Sequence, residues 1–211
     1  MPPDHILEAH DLAFGYKEGQ TILDGFSLSV NNRERVGLVA PSGRGKTTLC
    51  RLLAGYLRPL KGRVTIDGRD IQEIRGYCPV QMIWQHPETS VNPHLKMREA
   101  LAEGDGIDDR IIDGLGIEGA WLNRFPGELS GGEIQRFCIA RALGRRTQFI
   151  IADEISTMLD LITQSQIWAF LLQEVEARKI GLLAVTHSDA LMDRVTCRTV
   201  TLDRRIDDSD R

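Results

Sequence analysis

The sequence predicts an α/β protein with a mostly parallel core sheet, an antiparallel β subdomain and a small inserted helical subdomain. Three observations lead to this prediction. The apolar run Arg35–Val39 enters a glycine-rich loop, and a helical segment follows the loop at once. Phe149–Ala152 and Leu182–Thr186 are unbroken apolar runs, as expected of parallel strands buried on both faces. From His86 to about Phe125, short helical patterns alternate with proline and glycine.

The elements before the inserted subdomain are mainly strands. Ile6–Tyr16 mixes apolar and polar residues as a half-exposed strand does, and Ile22–Val30 alternates in a similar way. The glycine-rich loop leads into the helical segment Leu49–Ala54. We predict a strand over Gly62–Gly68 that ends in an Asp-Gly turn, and a short apolar strand over Met82–Gln85 that ends on a polar residue.

The second half of the chain alternates helices with buried strands. Helical periodicity over Gly132–Leu143 gives an apolar face, and Leu161–Val175 is predicted as another helix. Thr199–Leu202 is the last predicted strand, and the polar tail 203–211 is expected to be loosely ordered. We therefore expect a single domain over residues 1–211, with a core formed by about 1–85 and 144–211 and a helical subdomain over about 86–143.

The composition is that of an ordinary globular domain. With 211 residues, of which 42% are hydrophobic and 27% charged, the chain is long enough for one sizeable core and an inserted subdomain. The net charge of −4 argues against a broad nucleic-acid-binding surface, so we expect no nucleic-acid partner. The basic group Arg141, Arg145 and Arg146 is predicted to be a solvated helix end.

The cysteines and the chain ends bear on the cellular compartment. Cys50, Cys78, Cys138 and Cys197 are scattered in apolar or strand-like contexts without a Cys-x-x-Cys pair. This distribution predicts buried thiols in a reducing compartment, not disulfides or a zinc site. The first residues lack the pattern of a signal peptide, and no stretch approaches the length needed to cross a bilayer. We expect a cytoplasmic location, with any membrane crossing left to another chain.

The glycine-rich loop has the composition of a phosphate-binding loop. Gly43 and Gly45 allow backbone N–H groups to wrap closely around a polyphosphate, and the N-terminus of the following helix points its positive end at the anion. Lys46 is expected to reach the β- and γ-phosphates and the Thr47 hydroxyl to bind Mg²⁺. A plain turn before a helix is the alternative, which the strand–helix setting disfavours. The full loop reads Ala40, Pro41, Ser42, Gly43, Arg44, Gly45, Lys46, Thr47 and Thr48, with Ala40 where the usual pattern has glycine.

A second candidate site follows the buried run Phe149–Ala152. Asp153 and Glu154 come directly after it, where a strand would deliver them beside the phosphate loop. We predict that Asp153 holds Mg²⁺ and that Glu154 polarises a water for attack on the γ-phosphate, as a general base. An acidic pair after an apolar run is by itself more typical of a solvated strand end. The phosphate loop upstream favours the metal interpretation.

A third segment carries a family resemblance. It consists of Leu129, Ser130, Gly131, Gly132 and Glu133, and it resembles the signature motif of ATP-binding cassette (ABC) ATPases, which usually ends in Gln where this chain has Glu133. Ser130 and the glycines stand at a predicted helix N-terminus, which attracts anions. A capping box formed by Ser130 and Glu133 is an alternative that is compatible with this role. The resemblance implies that the segment caps the γ-phosphate of ATP bound by the opposite subunit, in a homodimer or in a heterodimer with a second ABC ATPase.

The resemblance assigns further roles one residue at a time. Gln85 resembles the glutamine that contacts Mg²⁺ and the attacking water and relays closure to a membrane partner, and His187 resembles the histidine that contacts the γ-phosphate. Tyr16 resembles the aromatic residue that stacks on adenine, with Phe14 as a near competitor. Leu159–Asp160 resembles the end of the loop that crosses the dimer interface. Catalysis is thus assigned to Glu154, His187 and Gln85, and Mg²⁺ binding to Thr47, Gln85 and Asp153.

Several departures from the family pattern leave the ligands and the base in place. Ile155 stands where proline is usual and Met158 where a small residue is usual, in addition to Ala40 and Glu133. We therefore expect a competent ATPase in which these substitutions affect the speed and the dimer geometry. A nucleotide-binding protein without turnover remains an alternative.

The region around Gln85 indicates a biological role. The segment Val80–Pro93 is similar to that of ATPases in peptide and nickel importers, with His86 where Asp is typical. The resemblance implies ATP-driven uptake of a short peptide, or of nickel, another metal or a metal chelate. It further implies hydrophobic membrane permease subunits as partners, a solute-binding protein indirectly, and a peripheral position on the inner face of the cell membrane. The alternative is an ATPase subunit of a soluble enzyme assembly, as in phosphonate metabolism, without a transport role.

Overall fold

An antiparallel sheet forms one side of the protein, in a computed structural model that describes residues 4–17, 20–157 and 159–202. The predicted polar tail 203–211 and Met158 lie outside the described residues. Leu7 and Ala9 pair with Val30 and Leu28 on one neighbouring strand and with Ile66 and Val64 on the other, so apolar residues share one face. In spatial order, with strands numbered along the chain, the sheet consists of β2 (Leu23–Asn31), β1 (Ile6–Phe14), β4 (Lys61–Ile66) and β5 (Arg69–Asp70).

A five-stranded sheet, parallel throughout, forms the centre of the fold, as the sequence predicted. Phe149–Asp153 and Gly181–Val185 are buried at every position. Parallel strands end at the same edge of a sheet, so the segments that follow Val39, Asp153 and Val185 are brought together there. In spatial order the strands are β6 (Val80–Ile83), β7 (Phe149–Asp153), β8 (Gly181–Val185), β3 (Arg35–Val39) and β9 (Arg198–Thr201).

Helices cover both faces of the parallel sheet. The first helix lies between the two sheets, where Leu49, Leu52 and Leu53 join an apolar cluster with the strands of both. The other helices pack with the opposite face of the parallel sheet in a second cluster. The six helices of the described residues are α1 (Lys46–Leu53), α2 (Met97–Ala102), α3 (Asp109–Gly114), α4 (Gly131–Ala142), α5 (Leu161–Arg178) and α6 (Asp189–Val195).

The structure corrects several element boundaries. The strand predicted over Met82–Gln85 is Val80–Ile83, so Gln85 lies two residues beyond its end. The long helix continues to Arg178, where Lys179 ends it in a left-handed conformation with a φ of 57°. The sequence reasoning missed α6, which begins after the capping residue Ser188. It also missed β5, the short strand beyond the predicted Asp-Gly turn.

Two predictions about side chains were wrong in part. Cys50 and Cys138 are buried and Cys78 is partly buried, but Cys197 is exposed because it lies just before the edge strand β9. Arg141 is not a solvated residue of a helix end. Its guanidinium pairs with Glu103 at 2.8 Å and donates a hydrogen bond to the Ser90 carbonyl at 2.7 Å.

Candidate functional site

The glycine-rich loop connects β3 to α1 with two left-handed glycines. Gly43 has a φ of 76° and Gly45 a φ of 87°, conformations that other residues adopt only with strain. A Cβ added at Gly45 would lie 2.4 Å from Cγ2 of Ile22, so the loop closely approaches its neighbour at this point. These glycines give the backbone the tight path that the sequence predicted for a phosphate cradle.

Lys46 is buried at the start of α1, and its ammonium lies over the beginning of the loop. Its Nζ donates hydrogen bonds to the carbonyl oxygens of Ala40 at 2.8 Å and Pro41 at 3.3 Å. The Ala40 side chain packs against the apolar cluster beneath the loop. The methyl group that replaces the usual glycine hydrogen is thus partly buried against apolar side chains, so the loop accepts it.

A cavity of about 410 Å³ brings most of the predicted residues together. This volume is in the range of small-molecule sites. The loop supplies one wall, and four residues from other segments supply the rest. Its lining consists of Ile22, Ser42, Gly43, Gly45, Lys46, Thr47, Thr48, Gln85, Glu154 and His187. Ile22 is the one lining residue that the sequence reasoning did not select, because nothing local distinguishes it from other apolar residues near a strand.

Asp153 ends β7 beside the loop with only 2% of its surface exposed. Burial raises the pKa of its carboxyl, the neighbouring Glu154 charge adds to the increase, and the Thr47 hydroxyl opposes it. Within the described part of the chain, its Oδ1 atom has no hydrogen-bond partner. A buried carboxylate oxygen without a partner is costly, and a divalent cation is a ligand that compensates for this cost. Asp153 and Thr47 therefore fit the predicted magnesium site.

Glu154 is fixed by three contacts and a strained backbone. Its φ of 52° is unusual for a residue with a side chain, and its N–H donates to the Val185 carbonyl at 3.0 Å. The carboxylate Oε2 accepts a hydrogen bond from Nε2 of Gln85 at 2.9 Å, and Oε1 lies 2.7 Å from Nε2 of His187. The left-handed turn thus places the carboxylate in the cavity, where the other two residues assigned to catalysis both contact it.

The two aromatic candidates differ in exposure. Phe14 is buried in the core, whereas Tyr16 is 53% exposed and packs edge-to-face on Phe14 with ring centroids 5.1 Å apart. The Tyr16 hydroxyl lies 3.3 Å from Oγ1 of Thr48, at the end of the phosphate loop. Tyr16 is therefore the aromatic ring available to a ligand beside the loop, although it does not line the cavity.

The segment Leu129–Glu133 is separate from the cavity. Ser130 caps α4, and its Oγ accepts a hydrogen bond from the Glu133 N–H at 3.3 Å. The Glu133 carboxylate accepts a hydrogen bond from the Ser130 N–H at 2.6 Å, so the capping box is formed. This hydrogen bond lowers the pKa of Glu133. Gly131 is exposed, and a Cβ built on it would contact nothing within 4 Å.

A second cavity, of about 970 Å³, shares no lining residue with the first. Trp84, the residue before Gln85, forms part of its wall. The Trp84 ring packs against the guanidinium carbon of Arg51 at 5.1 Å and against the Tyr56 ring at a centroid distance of 5.1 Å. This cavity could not be predicted from the sequence, since its walls come from distant parts of the chain, among them α1, β6, the turn after α2, and α4.

The fold and the site define a nucleotide-hydrolysing protein of the phosphate-loop class. A family model described as ABC transporter matches residues 23–157, which is well over half of the chain. The chain therefore belongs to the ABC transporter family and is an ATPase of that family. None of the helices in the three described ranges is long and apolar enough to span a membrane.

Named relatives cover most of the chain. The nickel import system ATP-binding protein NikE of Staphylococcus aureus (strain bovine RF122 / ET3-1) is 29% identical over 210 residues, covering 93% of this chain and 86% of the relative. The nickel import ATP-binding protein NikE of Pseudomonas putida is 29% identical over 227 residues, covering 93% and 82% respectively.

Solved structures share the fold. A dimeric post-hydrolysis state of an ATP-binding cassette bound to ADP and Pi superposes with a TM-score of 0.81 at 24% identity, covering 93% of this chain and 94% of that chain. A bacterial Atm1-family ABC exporter with ATP bound gives a TM-score of 0.79 at 27% identity, covering 94% of this chain and 37% of that chain.

Proposed function

We propose that this ATPase drives the uptake of nickel, or of another metal or metal chelate, through membrane permease subunits. One observation carries the proposal. Nickel import ATP-binding proteins from two organisms align with 93% of the chain, so the similarity extends beyond the phosphate loop that all such ATPases share. A short peptide is the alternative cargo, because Gln85 is followed by the Asn92-Pro93 pair that also resembles peptide importers.

We infer the roles of the site residues from the geometry. ATP would be held by the loop residues 40–48 and by Tyr16, and Mg²⁺ by Thr47, Gln85 and Asp153. The bound cation supplies charge neutralisation for the phosphate oxygens. Glu154 is placed to accept a proton from a water in the cavity, and Gln85 and His187 orient its carboxylate through the contacts at 2.9 Å and 2.7 Å.

We infer a dimer because the signature segment, Leu129–Glu133, and the cavity do not meet within the described residues of one chain. Ser130 and Gly131 are exposed at the N-terminus of α4, where backbone N–H groups and the helix dipole favour an anion. A second ABC ATPase, either another copy of this chain or a related one, would bring its own loop against this segment. Two composite sites per dimer follow from this arrangement.

The 970 Å³ cavity supports a mechanical link to permease subunits. Trp84 lies in its wall and Gln85 is the next residue, so displacement of this wall would move the Gln85 amide relative to Glu154. A peripheral position at the inner membrane surface follows from such a contact, and a solute-binding protein would act on the other side of the permease. The soluble enzyme assembly predicted as an alternative has no observation of the structure in its favour.

Uptake of radioactive nickel by cells tests the proposal. Cells that lack this chain are complemented with the wild type or with Glu154→Gln, and accumulation is compared with that of a labelled dipeptide. The proposal expects nickel accumulation that depends on Glu154. Accumulation of the peptide alone would assign the other cargo. If neither solute accumulates, and the chain purifies from membranes without hydrophobic subunits, the transport role is wrong while the ATPase chemistry stands.

A further inference from the structure

A row of side chains on α4 contacts the backbone of the segment that carries Gln85. Gln135, Cys138 and Arg141 are spaced three residues apart, so they share one face of the helix. Nε2 of Gln135 lies 3.5 Å from the Trp84 carbonyl oxygen. Sγ of Cys138 lies 3.8 Å from the Pro87 carbonyl oxygen, and Nη2 of Arg141 donates to the Ser90 carbonyl at 2.7 Å.

The three contacts differ in strength along the row. The Arg141 contact is short and carries a charge, so it anchors the far end of the segment at Ser90. The Gln135 contact is at the long limit of a hydrogen bond, so it holds the near end loosely. The segment is therefore held firmly at its far end, at Ser90, and more weakly at Trp84, next to Gln85.

Gln135 is an unusual residue for its position. Only 2% of its surface is exposed, and its Oε1 atom has no hydrogen-bond partner among the residues described. A buried amide that leaves its carbonyl unpaired costs free energy that an apolar residue of the same shape would not. Packing of α4 alone therefore does not explain a glutamine here, whereas a contact with the Trp84 carbonyl does.

The contact joins two parts of the reaction machinery. The Trp84 carbonyl belongs to the peptide bond that leads into Gln85, whose amide reaches Oε2 of Glu154 at 2.9 Å. The helix that carries Gln135 begins at Ser130 in the signature segment. A displacement of α4 is thus passed by one side chain to the residue that orients the catalytic carboxylate.

We propose that Gln135 is a positioning residue for ATP hydrolysis. It holds the Trp84 carbonyl so that Gln85 reaches Glu154, and it ties the position of the signature helix to that of the general base. The inference rests on the proposed roles of Gln85 and Glu154. Gln135 itself is not among the residues that line the cavity.

Gln135→Met tests the inference with the full chain, ATP and Mg²⁺, because methionine keeps the shape and removes the donor. We expect kcat to fall about three- to tenfold, the worth of one hydrogen bond, with KM for ATP changed less than twofold. The matched control is Gln148→Met. Gln148 also has a buried Oε1 without a partner among the described residues, but its amide faces His5 at 3.2 Å, at the start of β7 and far from Glu154. The control is expected to keep the wild-type kcat.

A double-mutant cycle separates positioning from a general packing effect. In a Gln85→Ala background, Gln135→Met is expected to have no further effect on kcat. An equal loss in both backgrounds, an unchanged kcat in Gln135→Met, or an equal loss in Gln148→Met overturns the inference. An unchanged kcat in Gln85→Ala alone overturns the proposed role of Gln85, a separate failure. If Gln135→Met does not fold, Gln135→Asn replaces it, because it keeps the amide and shortens its reach by one methylene.

Discussion

The phosphate-loop cavity and the signature segment differ in how far one chain completes them. The loop, Gln85, Glu154 and His187 line one cavity, in which Gln85 and His187 each contact Glu154, and Asp153 is buried beside Thr47. The signature segment makes only local contacts, because Ser130 and Glu133 satisfy each other in a capping box. One chain therefore holds a preorganised cavity with the proposed catalytic residues, and a separate signature segment that has no ligand-facing partner within the described residues.

The difference indicates which parts of the reaction depend on pairing with a second chain. The groups proposed to act on the attacking water are positioned by the sheet edge and need no second chain. Groups that would cap the transferred phosphate are displayed on the surface and need one. Substitutions in the cavity should therefore act on turnover within each subunit, whereas substitutions in the signature segment should act on the neighbouring subunit's site.

Glu154→Gln is expected to have the largest effect, because it removes the proposed proton acceptor from the cavity. Glutamine retains the shape and an acceptor oxygen, so ATP binding should remain near the wild-type level. Phosphate release should fall by a factor of about 10² to 10⁴. Measurement of phosphate release together with nucleotide binding checks both parts. Unchanged phosphate release would mean that Glu154 is not the base, and an inactive wild type would indicate a binding protein without turnover.

Ser130→Asp tests the signature segment. Lys46→Ala is its partner variant, because it alters the phosphate loop and leaves the signature segment intact. Aspartate is a good helix N-cap, so α4 should keep its start, while its charge repels a phosphate. Each variant alone is expected to lose ATPase activity at least about tenfold, since charge repulsion of a few kcal/mol is involved.

Mixing the two variants distinguishes the composite site from an independent one. If the chain pairs with itself, half of the randomly mixed dimers contain one intact site built from both chains. The mixture should then recover about a quarter of the wild-type rate. No recovery from mixed dimers, demonstrated as such by differently tagged chains, would exclude a composite site made of two copies.

The sequence predicted the residues of the cavity well, because they lie in short local patterns. Gly43, Gly45 and Lys46 lie within one loop, and Asp153 and Glu154 directly follow a buried strand. The carboxyl ends of parallel strands must share an edge, so these patterns are sufficient to bring the groups together. The preference for Tyr16 over Phe14 came from the resemblance alone. Their difference in exposure became visible only in the structure, because Tyr16 lies beyond the end of β1 and no longer follows its alternation.

Features that depend on contacts between distant elements could not be predicted in this way. The row formed by Gln135, Cys138 and Arg141 requires knowledge of which face of α4 meets the segment after β6. Cys197 was predicted as buried because strand-like sequence does not reveal whether a strand lies at an edge. The predicted domain limits, 1–85 with 144–211 and 86–143, remain predictions.

Asp153→Asn is expected to have an intermediate effect, on stability and metal dependence. Burial raises the pKa of Asp153, so the charged form is less favourable in the folded protein than in the unfolded chain, and the carboxylate costs stability above its folded pKa. In the absence of Mg²⁺ at neutral pH, removal of this charge should raise the free energy of unfolding by about 1 kcal/mol. The corresponding increase in Tm is about 2–4 °C.

The Tm difference between Asp153→Asn and the wild type should depend on pH. As the pH falls through the raised pKa, the wild-type carboxylate takes up a proton and its burial penalty disappears, so the Tm difference between variant and wild type should shrink. In the same range the apparent affinity for Mg²⁺ with ATP should weaken in the wild type, because the proton competes with the cation. A variant that is less stable than the wild type at neutral pH contradicts the assignment of an uncompensated buried charge.

Glu133→Gln is expected to have the smallest effect, because it changes only the signature segment. The Glu133 carboxylate lies at the start of α4, where its charge opposes an approaching phosphate, whereas its hydrogen bond to the Ser130 N–H is one that glutamine also makes. Removal of the charge should increase the ATPase rate or the ATP-dependent dimerisation about two- to fivefold, the range for one charge at a helix end.

Glu128→Gln is the matched control for this last variant. Glu128, two residues before Ser130, likewise accepts a hydrogen bond from a backbone N–H, that of Phe125 at 2.7 Å, and has no place in the proposed phosphate contact. Its replacement should leave rate and dimerisation unchanged while altering the net charge equally. An equal gain in both variants would mean that long-range charge, and not the signature segment, controls the approach of the second chain's nucleotide. A gain confined to Glu133→Gln would place that nucleotide at the N-terminus of α4.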